Sequence, residues 1–338
     1  TLFRSYVGSP EAVFKTPKSK LEKIPSIGAD RAEGIANADV LKEAEKELKF
    51  VQDYKIKTLF FTEADYPQRL KNCDDSPALL YYKGNADLNA EKIVAIVGTR
   101  KATSYGKEMT KKLVAELAAY DVLIVSGLAY GIDVASHSAA LENNLKTVGV
   151  LGHGLNTIYP AEHNATAKKM LLQGGLLTEY GSADEMHPSR FPNRNRIVAG
   201  ISAAVVVIAS GIKGGAVLTA NIANSYNRDV FAFPGKSTDK LSAGCNFLIK
   251  TFKAKMIENA NDLLIEMNWL PHANGAKFKK PQRQLALNLS EQEQVMYNLL
   301  IEKSELAIDV LTSGTGIGTS LLAATLLEME RNHIIVSL

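Results

Sequence analysis

Ile93-Val94-Ala95-Ile96-Val97-Gly98-Thr99-Arg100 runs an unbroken apolar, mostly β-branched stretch straight into a glycine and a guanidinium. Such a run reads as a strand buried on both faces. The same texture repeats downstream at Val122–Val125, Thr147–Leu151, Leu176–Glu179, Val205–Ile208 and Val230–Phe233. Between the runs lie amphipathic stretches at Lys107–Ala119, Val134–Asn143, Ala161–Gln173 and Ala216–Tyr226. Apolar strands alternating with helices predict a mostly parallel sheet covered on both faces. The fold class expected is α/β, a doubly wound, Rossmann-like domain over residues 86–270.

Residues 1–85 read as a polar, helical N-terminal module ending in a loop-rich stretch. Ile24-Pro25-Ser26-Ile27-Gly28 resembles the turn of a helix-hairpin-helix, but the simpler reading, a Pro/Gly turn between two packing helices, is the one favoured. Leu41–Phe50 follows as an amphipathic helix. Residues 271–284 carry Pro, Asn, Gly and a Lys/Arg run, and are expected to be a linker. Residues 285–338 read as a small helical unit. Ser290 and Glu293 stand at the spacing of a capping box, and a terminal strand at His333–Val336 suggests a winged-helix-like domain.

With 338 residues, 46% hydrophobic and 22% charged, the chain can bury a core without staples. Cys73 and Cys245 offer neither a disulfide framework nor metal-ligand spacing. His153 and His163 show no ligand spacing either, so no metal or cofactor is expected. No apolar run is long enough for a membrane span. Thr1–Tyr6 lacks the basic-then-apolar pattern of a signal peptide. A cytoplasmic setting is expected. The net charge of +3 is too small to diagnose nucleic-acid binding, so the local placement of the cations matters.

In a parallel sheet, ligands bind beyond the carboxyl ends of the strands. Each of those ends here carries glycine: Gly98-Thr99-Arg100, Ser126-Gly127 with Gly131-Ile132-Asp133, Gly152-His153-Gly154, Glu179-Tyr180-Gly181, Ser210-Gly211 with Gly214-Gly215, and Pro234-Gly235. Glycine allows a backbone to approach a ligand closely, and loops feeding helices present free N–H groups to an anion. Together the loops predict a phosphate-binding rim. The three closely spaced glycines of a nicotinamide site are missing after the first strand, and no Walker A spacing occurs.

Pro188-Ser189-Arg190-Phe191-Pro192-Asn193-Arg194-Asn195-Arg196 interleaves guanidinium groups with one aromatic and two amides. Arginine forks suit phosphate, a phenyl face suits a base, and an amide suits a base edge. Unpaired nucleic acid requires that combination. Asp133 and His137 share a helix face; the acid is expected to stabilise the helix N-terminus and the histidine to pack. Glu179 could serve as a general base or cap a neighbouring loop.

Tyr66-Pro67, Asp75, Pro77, Tyr82-Lys83-Gly84, Gly98-Thr99-Arg100, Ser126-Gly127-Leu128-Ala129, Tyr159-Pro160, Phe191-Pro192, Arg194-Asn195-Arg196, Leu218-Thr219-Ala220, Pro234-Gly235 and Gly244 with Asn246 occur in one order. In that order the chain resembles the DprA (Smf) family of DNA-processing proteins over residues 60–267. The resemblance implies a sequence-nonspecific single-stranded DNA-binding protein, not an enzyme. Such a protein protects incoming strands, helps load RecA recombinase during natural transformation, and usually dimerises through the Rossmann-like domain. It implies that Gly98, Thr99 and Arg100 hold phosphate and that Ser126, Gly127 and Gly131 line the pocket. Phe191, Arg194, Asn195 and Arg196 would contact base and backbone, and Gly214 and Gly215 would complete the floor. Departures are Thr99 for a frequent Ser, Ser136 for Ala, Ala209 for Glu and Gly214 for Ser.

Two competing functions make different demands. A nucleotide phosphoribohydrolase-type enzyme needs an acid soon after its Gly-Gly loop, and Ala216–Tyr226 contains none. A duplex-binding adaptor needs a basic recognition helix. Gly318–Asn332 offers Arg331 among Glu328 and Glu330.

Overall fold

The computed structural model describes residues 6–37, 39–270, 289–303, 308–331 and 334–335. The chain divides into two compact units, Thr1–Leu270 and Pro271–Leu338.

The first unit is built on a nine-stranded sheet. Its strands are β1 (Lys57–Phe60), β2 (Leu79–Gly84), β3 (Ile93–Val97), β4 (Leu123–Ser126), β5 (Thr147–Val150), β6 (Gly174–Thr178), β7 (Ala204–Val207), β8 (Asp229–Ala232) and β9 (Lys255–Met256). They lie in the order β1-β2-β6-β5-β4-β3-β7-β8-β9. From β3 to β9 neighbouring strands are parallel; β2 joins β6 antiparallel, and β1 joins β2 antiparallel. The α/β, Rossmann-like reading therefore holds. All the strands expected between residues 93 and 233 are present.

The N-terminal boundary is corrected. Residues 57–84 were expected to close a helical module, but they add two strands to the edge of the main sheet. Lys83 and Gly84 pair with Leu176 and Gly175 of β6. Both strands alternate buried with more exposed positions, the pattern of an antiparallel edge rather than of a covered parallel strand.

The parallel strands are apolar on both faces because both faces are covered. In β3, Ile93, Ala95 and Val97 enter one core and Val94 and Ile96 the other. This is the period-two alternation of a strand. Along the chain the helices of this unit are α1 (Pro10–Lys15), α2 (Lys18–Leu21), α3 (Ala29–Ala36), α4 (Asp39–Asp53), α5 (Gln68–Lys71), α6 (Ser104–Leu117), α7 (Ile132–Glu142), α8 (Asn164–Leu172), α9 (Arg190–Asn193), α10 (Asn195–Ile201), α11 (Gly215–Ser225), α12 (Ala243–Lys250) and α13 (Ala260–Glu266). The first core receives Ile197, Val198 and Ile201 of α10, Val217 and Ala220 of α11 and Leu248 of α12. The second receives Leu113, Val114 and Leu117 of α6, Ile132 and Ala139 of α7 and Leu263 of α13. Thr103 caps α6 by accepting from the Gly106 amide, which fixes where the helix begins after the β3 loop.

Before the sheet, α1, α2 and α3 bury Val13, Leu21, Ile24, Ile27 and Ala32 together. Ile24 and Ile27 face this small core, so the simpler packing role of their turn is the one observed. The long helix α4 matches the amphipathic pattern around Leu41–Phe50. Its Glu47 carboxylate accepts from both the backbone N–H and the hydroxyl of Ser182, tying α4 to the loop after β6.

In the second unit the described residues form α14 (Glu291–Lys303), α15 (Ile308–Thr315) and α16 (Thr319–Arg331). Met296, Leu311, Leu322 and Met329 are buried together. The capping box is present: Glu293 accepts from the Ser290 N–H at 2.7 Å, and Ser290 Oγ accepts from the Glu293 N–H at 3.4 Å. The linker at 271–284 lies outside the described residues. So does most of the terminal strand expected at His333–Val336, and its described part, Ile334–Ile335, is not in a strand. Among the described residues, no helix is long and apolar enough to cross a membrane.

Candidate nucleic-acid interface

Strand order reverses at β3, whose neighbours are β4 on one side and β7 on the other. The crevice beyond this switch point is the ordinary ligand site of an open α/β sheet. Here it opens as a cleft of about 410 Å³. Gly98, Thr99 and Arg100 reach it from β3, and Gly127 from β4. Gly214 and Gly215 reach it from β7, and Phe191, Arg194 and Asn195 from the α9–α10 corner. Most of the residues singled out by sequence thus converge on one notch.

The floor beyond β7 is a helix start. Gly214 caps α11, and Gly215 is its first residue. The first-turn amides of a helix lack intrahelical acceptors and carry partial positive charge. Space beside Gly215 is open. A side chain at position 214 would run into Ser210 Oγ, so the frequent serine is replaced where a neighbouring hydroxyl already fills the space.

Arg100 is an exposed cation of the notch. Its guanidinium carbon lies 5.9 Å from the centre of the Phe191 ring. The Thr99 amide is not free to hold phosphate, whereas its hydroxyl lines the cleft and keeps its own O–H to donate. The amide donates to the Ala209 carbonyl at 2.7 Å, and the hydroxyl accepts from the Lys101 amide at 3.2 Å. The residue shapes the β3 loop and directs Arg100 outwards.

Arg194 lies in the wall of the cleft and is only 5% exposed. It donates to the Val150 carbonyl and sits 3.7 Å from Asp133 Oδ2. Burial lowers the affinity of its guanidinium for its proton, with Asp133 opposing the shift. Burial likewise raises the Asp133 carboxyl above its ordinary value, while Arg194 pulls it down. Arg194 Nε is buried and has no partner among the described residues. A side chain at Gly127 would overlap the Arg194 guanidinium, so glycine is what lets the cation lie against the β4 loop. Arg194, expected to contact base and backbone, does line the cleft, but as a buried wall charge paired with Asp133.

Three further expectations are corrected. Arg196 turns away from the cleft and pairs with Glu179, with Asp75 at 4.0 Å on its other side. Glu179 is therefore a structural partner and not an isolated base. Ser126 is fully buried and donates to the Ile96 carbonyl at 2.6 Å, pinning β4 to β3. Gly131 has φ +80° and passes so close to the Thr99 carbonyl that a side chain would collide with it. It shapes the turn behind Arg100 and does not line the notch itself.

The helix pair Asp133 and His137 divides as expected, with one addition. Asp133 accepts from the Ala129 amide at 3.4 Å near the α7 start, and it also faces Arg194. His137 Nδ1 lies 2.6 Å from Thr147 Oγ1, and burial lowers its pKa to about 3. It is a neutral core residue.

Sequence reasoning missed Lys101, which lines the cleft beside Arg100, and Asp133 as the counter-charge of Arg194. Lys101 was visible as a second cation in the same glycine-led loop. The Asp133–Arg194 pairing is made between the starts of α7 and α10, far apart in sequence, and leaves no local signal. The lining charges are Arg100, Lys101 and Arg194 against Asp133 alone, so the notch is cationic. Among the described residues, no group of potential ligands could hold a metal ion.

Comparison with known proteins bears on the family and the fold. The model of the family described as DNA recombination-mediator protein A matches residues 57–268. DNA processing protein DprA of Streptococcus pneumoniae is 39% identical over 204 residues, 60% of this chain and 72% of that protein. A putative DNA processing protein DprA of Mycobacterium tuberculosis is 38% identical over 252 residues, 74% of this chain and 64% of that protein. The match therefore spans somewhat less than two thirds of the mycobacterial relative. Among solved structures, Streptococcus pneumoniae DNA processing protein A superposes with TM-score 0.67 at 33% identity, covering 74% of this chain and 86% of that one. Helicobacter pylori DNA processing protein A, described for its unique single-stranded DNA binding mode, gives TM-score 0.57 at 29% identity, covering 63% of this chain and 95% of that one.

Proposed function

We propose that this chain, which belongs to the DNA recombination-mediator protein A family, holds single-stranded DNA by its sugar–phosphate backbone in the notch at the β3 switch point. One observation carries the proposal. An exposed Arg100, the buried guanidinium of Arg194 in the wall, and the open N-terminus of α11 all line the same cleft. Each is an anion-binding device, and Phe191 adds an aromatic face for a base. The Helicobacter pylori relative of the same fold, described for single-stranded DNA binding, supports the choice of ligand.

Contacts to the sugar–phosphate backbone carry no sequence information, so binding is independent of sequence. The wider role follows the family: a cytoplasmic homodimer that shields incoming DNA and hands it to RecA recombinase during transformation. The role is non-enzymatic. Asp133 is the one acid lining the cleft among its described residues, and it is engaged with Arg194. A phosphoribohydrolase needs a free carboxylate at the glycosidic bond, and release of ribose 5-phosphate from AMP by the purified chain would contradict the non-enzymatic role.

The test is filter binding of oligothymidylate and of duplex across a salt series. With about four phosphates contacted, log K for the single strand falls against log salt with a slope of about −3. Single strand is bound more tightly than duplex at every salt concentration. Equal affinity for the two, or a slope near zero, would contradict the proposal.

A further inference from the structure

Phe191 and Arg100 stand between two hollows. On the far side of the phosphate notch is a smaller one of about 70 Å³, edged by Tyr130, Tyr159 and Phe191 over a floor of Leu128 and Leu151. The geometry points to a stacking slot for one nucleobase of the same strand, with Tyr130 and Tyr159 as its base-contacting residues. This rests on the single-strand function proposed above and adds a second subsite to it.

The rings are exposed but fixed. Tyr159 is 49% and Tyr130 43% exposed, so each keeps a large apolar face in water. Tyr159 lies 5.6 Å from Phe191, centroid to centroid, at an interplanar angle of 53°. Tyr130 packs edge-on against His163 at 5.1 Å, and its hydroxyl donates to Glu162 Oε2 at 3.0 Å. Phe191 rests over Gly152, where an added methyl would crowd its Cδ1 at 3.2 Å. Rings already held in place lose little conformational freedom when a base covers them.

The lining separates the occupants of the two hollows. His153 at the rim is neutral: burial lowers its pKa, and its ring nitrogens meet the Gly154 carbonyl and the Tyr159 amide. Leu128 and Leu151 are buried and apolar. The carboxylate of Glu162 sits at the Tyr130 hydroxyl. Arg100 and Arg194 line this hollow as well, so its charge does not turn a phosphate away; the tyrosine and phenyl faces over an apolar floor are what favour a base there. Phosphate on one side of Arg100 and base on the other is the order in which a nucleotide presents its parts.

The experiment compares the full chain binding oligothymidylate and an abasic tetrahydrofuran oligomer of equal length and charge. Stacking of one base is worth about 1–3 kcal/mol. The parent should therefore bind the base-bearing strand about fivefold to a hundredfold more tightly. Tyr159→Ala and Tyr130→Ala should each pull that ratio towards one, and Tyr159→Phe should restore it. Near-UV circular dichroism and thermal melting confirm that the variants are folded. If the parent binds both oligomers alike, or both alanine variants keep the parental ratio, the slot is refuted while the phosphate notch stands. A parent that binds neither oligomer refutes the single-strand function and the slot with it.

Discussion

Arg100→Ala is expected to weaken binding of single-stranded oligonucleotides about tenfold at moderate salt, by the same factor for every sequence. The slope of log K against log salt should become shallower by about 0.7, the contribution of one single-strand phosphate contact. The side chain is exposed, faces the notch, and makes no ion pair among the described residues. Its loss leaves no buried charge behind, so the melting temperature should hold. The effect thus lives on the binding step alone. An unchanged salt slope would mean that this guanidinium does not touch the backbone, and a sequence-dependent loss would mean that it reads bases.

Asp133→Ala should act on the other link, from packing to stability. Its side chain and that of Arg194 are 11% and 6% exposed. Removing the carboxylate leaves Arg194 buried with the Val150 carbonyl and a spare Nε. Breaking a buried pair from one side costs about 3–5 kcal/mol, because the remaining charge stays desolvated. For a unit of this size the melting temperature should drop by about 6–20 °C at 2–4 °C per kcal/mol. Arg194→Met with Asp133→Ala should recover much of the loss, since an apolar pair of similar volume needs no counter-charge. If Asp133→Ala melts like the parent, the pair is not coupled in the way its burial implies.

The two results separate the guanidinium groups that sequence reading had grouped. Arg100 is a free hand, Arg194 a fixed wall charge, and Arg196 a strut to Glu179. Helical geometry already hints at this division. Residues two apart on a helix point to different faces, and Arg194 and Arg196 flank the start of α10. Their partners, Asp133 at the start of α7 and Glu179 just after β6, are far off in sequence, so no local pattern could name them. The glycine-led loops were easier to read because each follows its own strand directly. Apolar runs fix the strands, a parallel sheet fixes the edge from which the loops emerge, and the notch follows.

The edge of the sheet was harder to see for the opposite reason. Leu79–Gly84 and Lys57–Phe60 are half-covered strands whose polar positions blend into a helical, charged neighbourhood. Leu79–Gly84 is placed by pairing with β6, a contact across more than ninety residues of sequence, and Lys57–Phe60 pairs in turn with Leu79–Gly84. Similarly, Ser126 and Gly131 sit beside the site without forming it. One pins two strands and the other lets a turn pass the Thr99 carbonyl. Both are required to place Arg100, which is why family pattern and ligand contact are easily confused at these positions.

Crystallising the chain with a short oligothymidylate tests the central claim most directly. A backbone phosphate should lie within hydrogen-bond distance of the Arg100 guanidinium and the amides at the start of α11. An oligonucleotide bound elsewhere, with that notch holding only solvent, would contradict it.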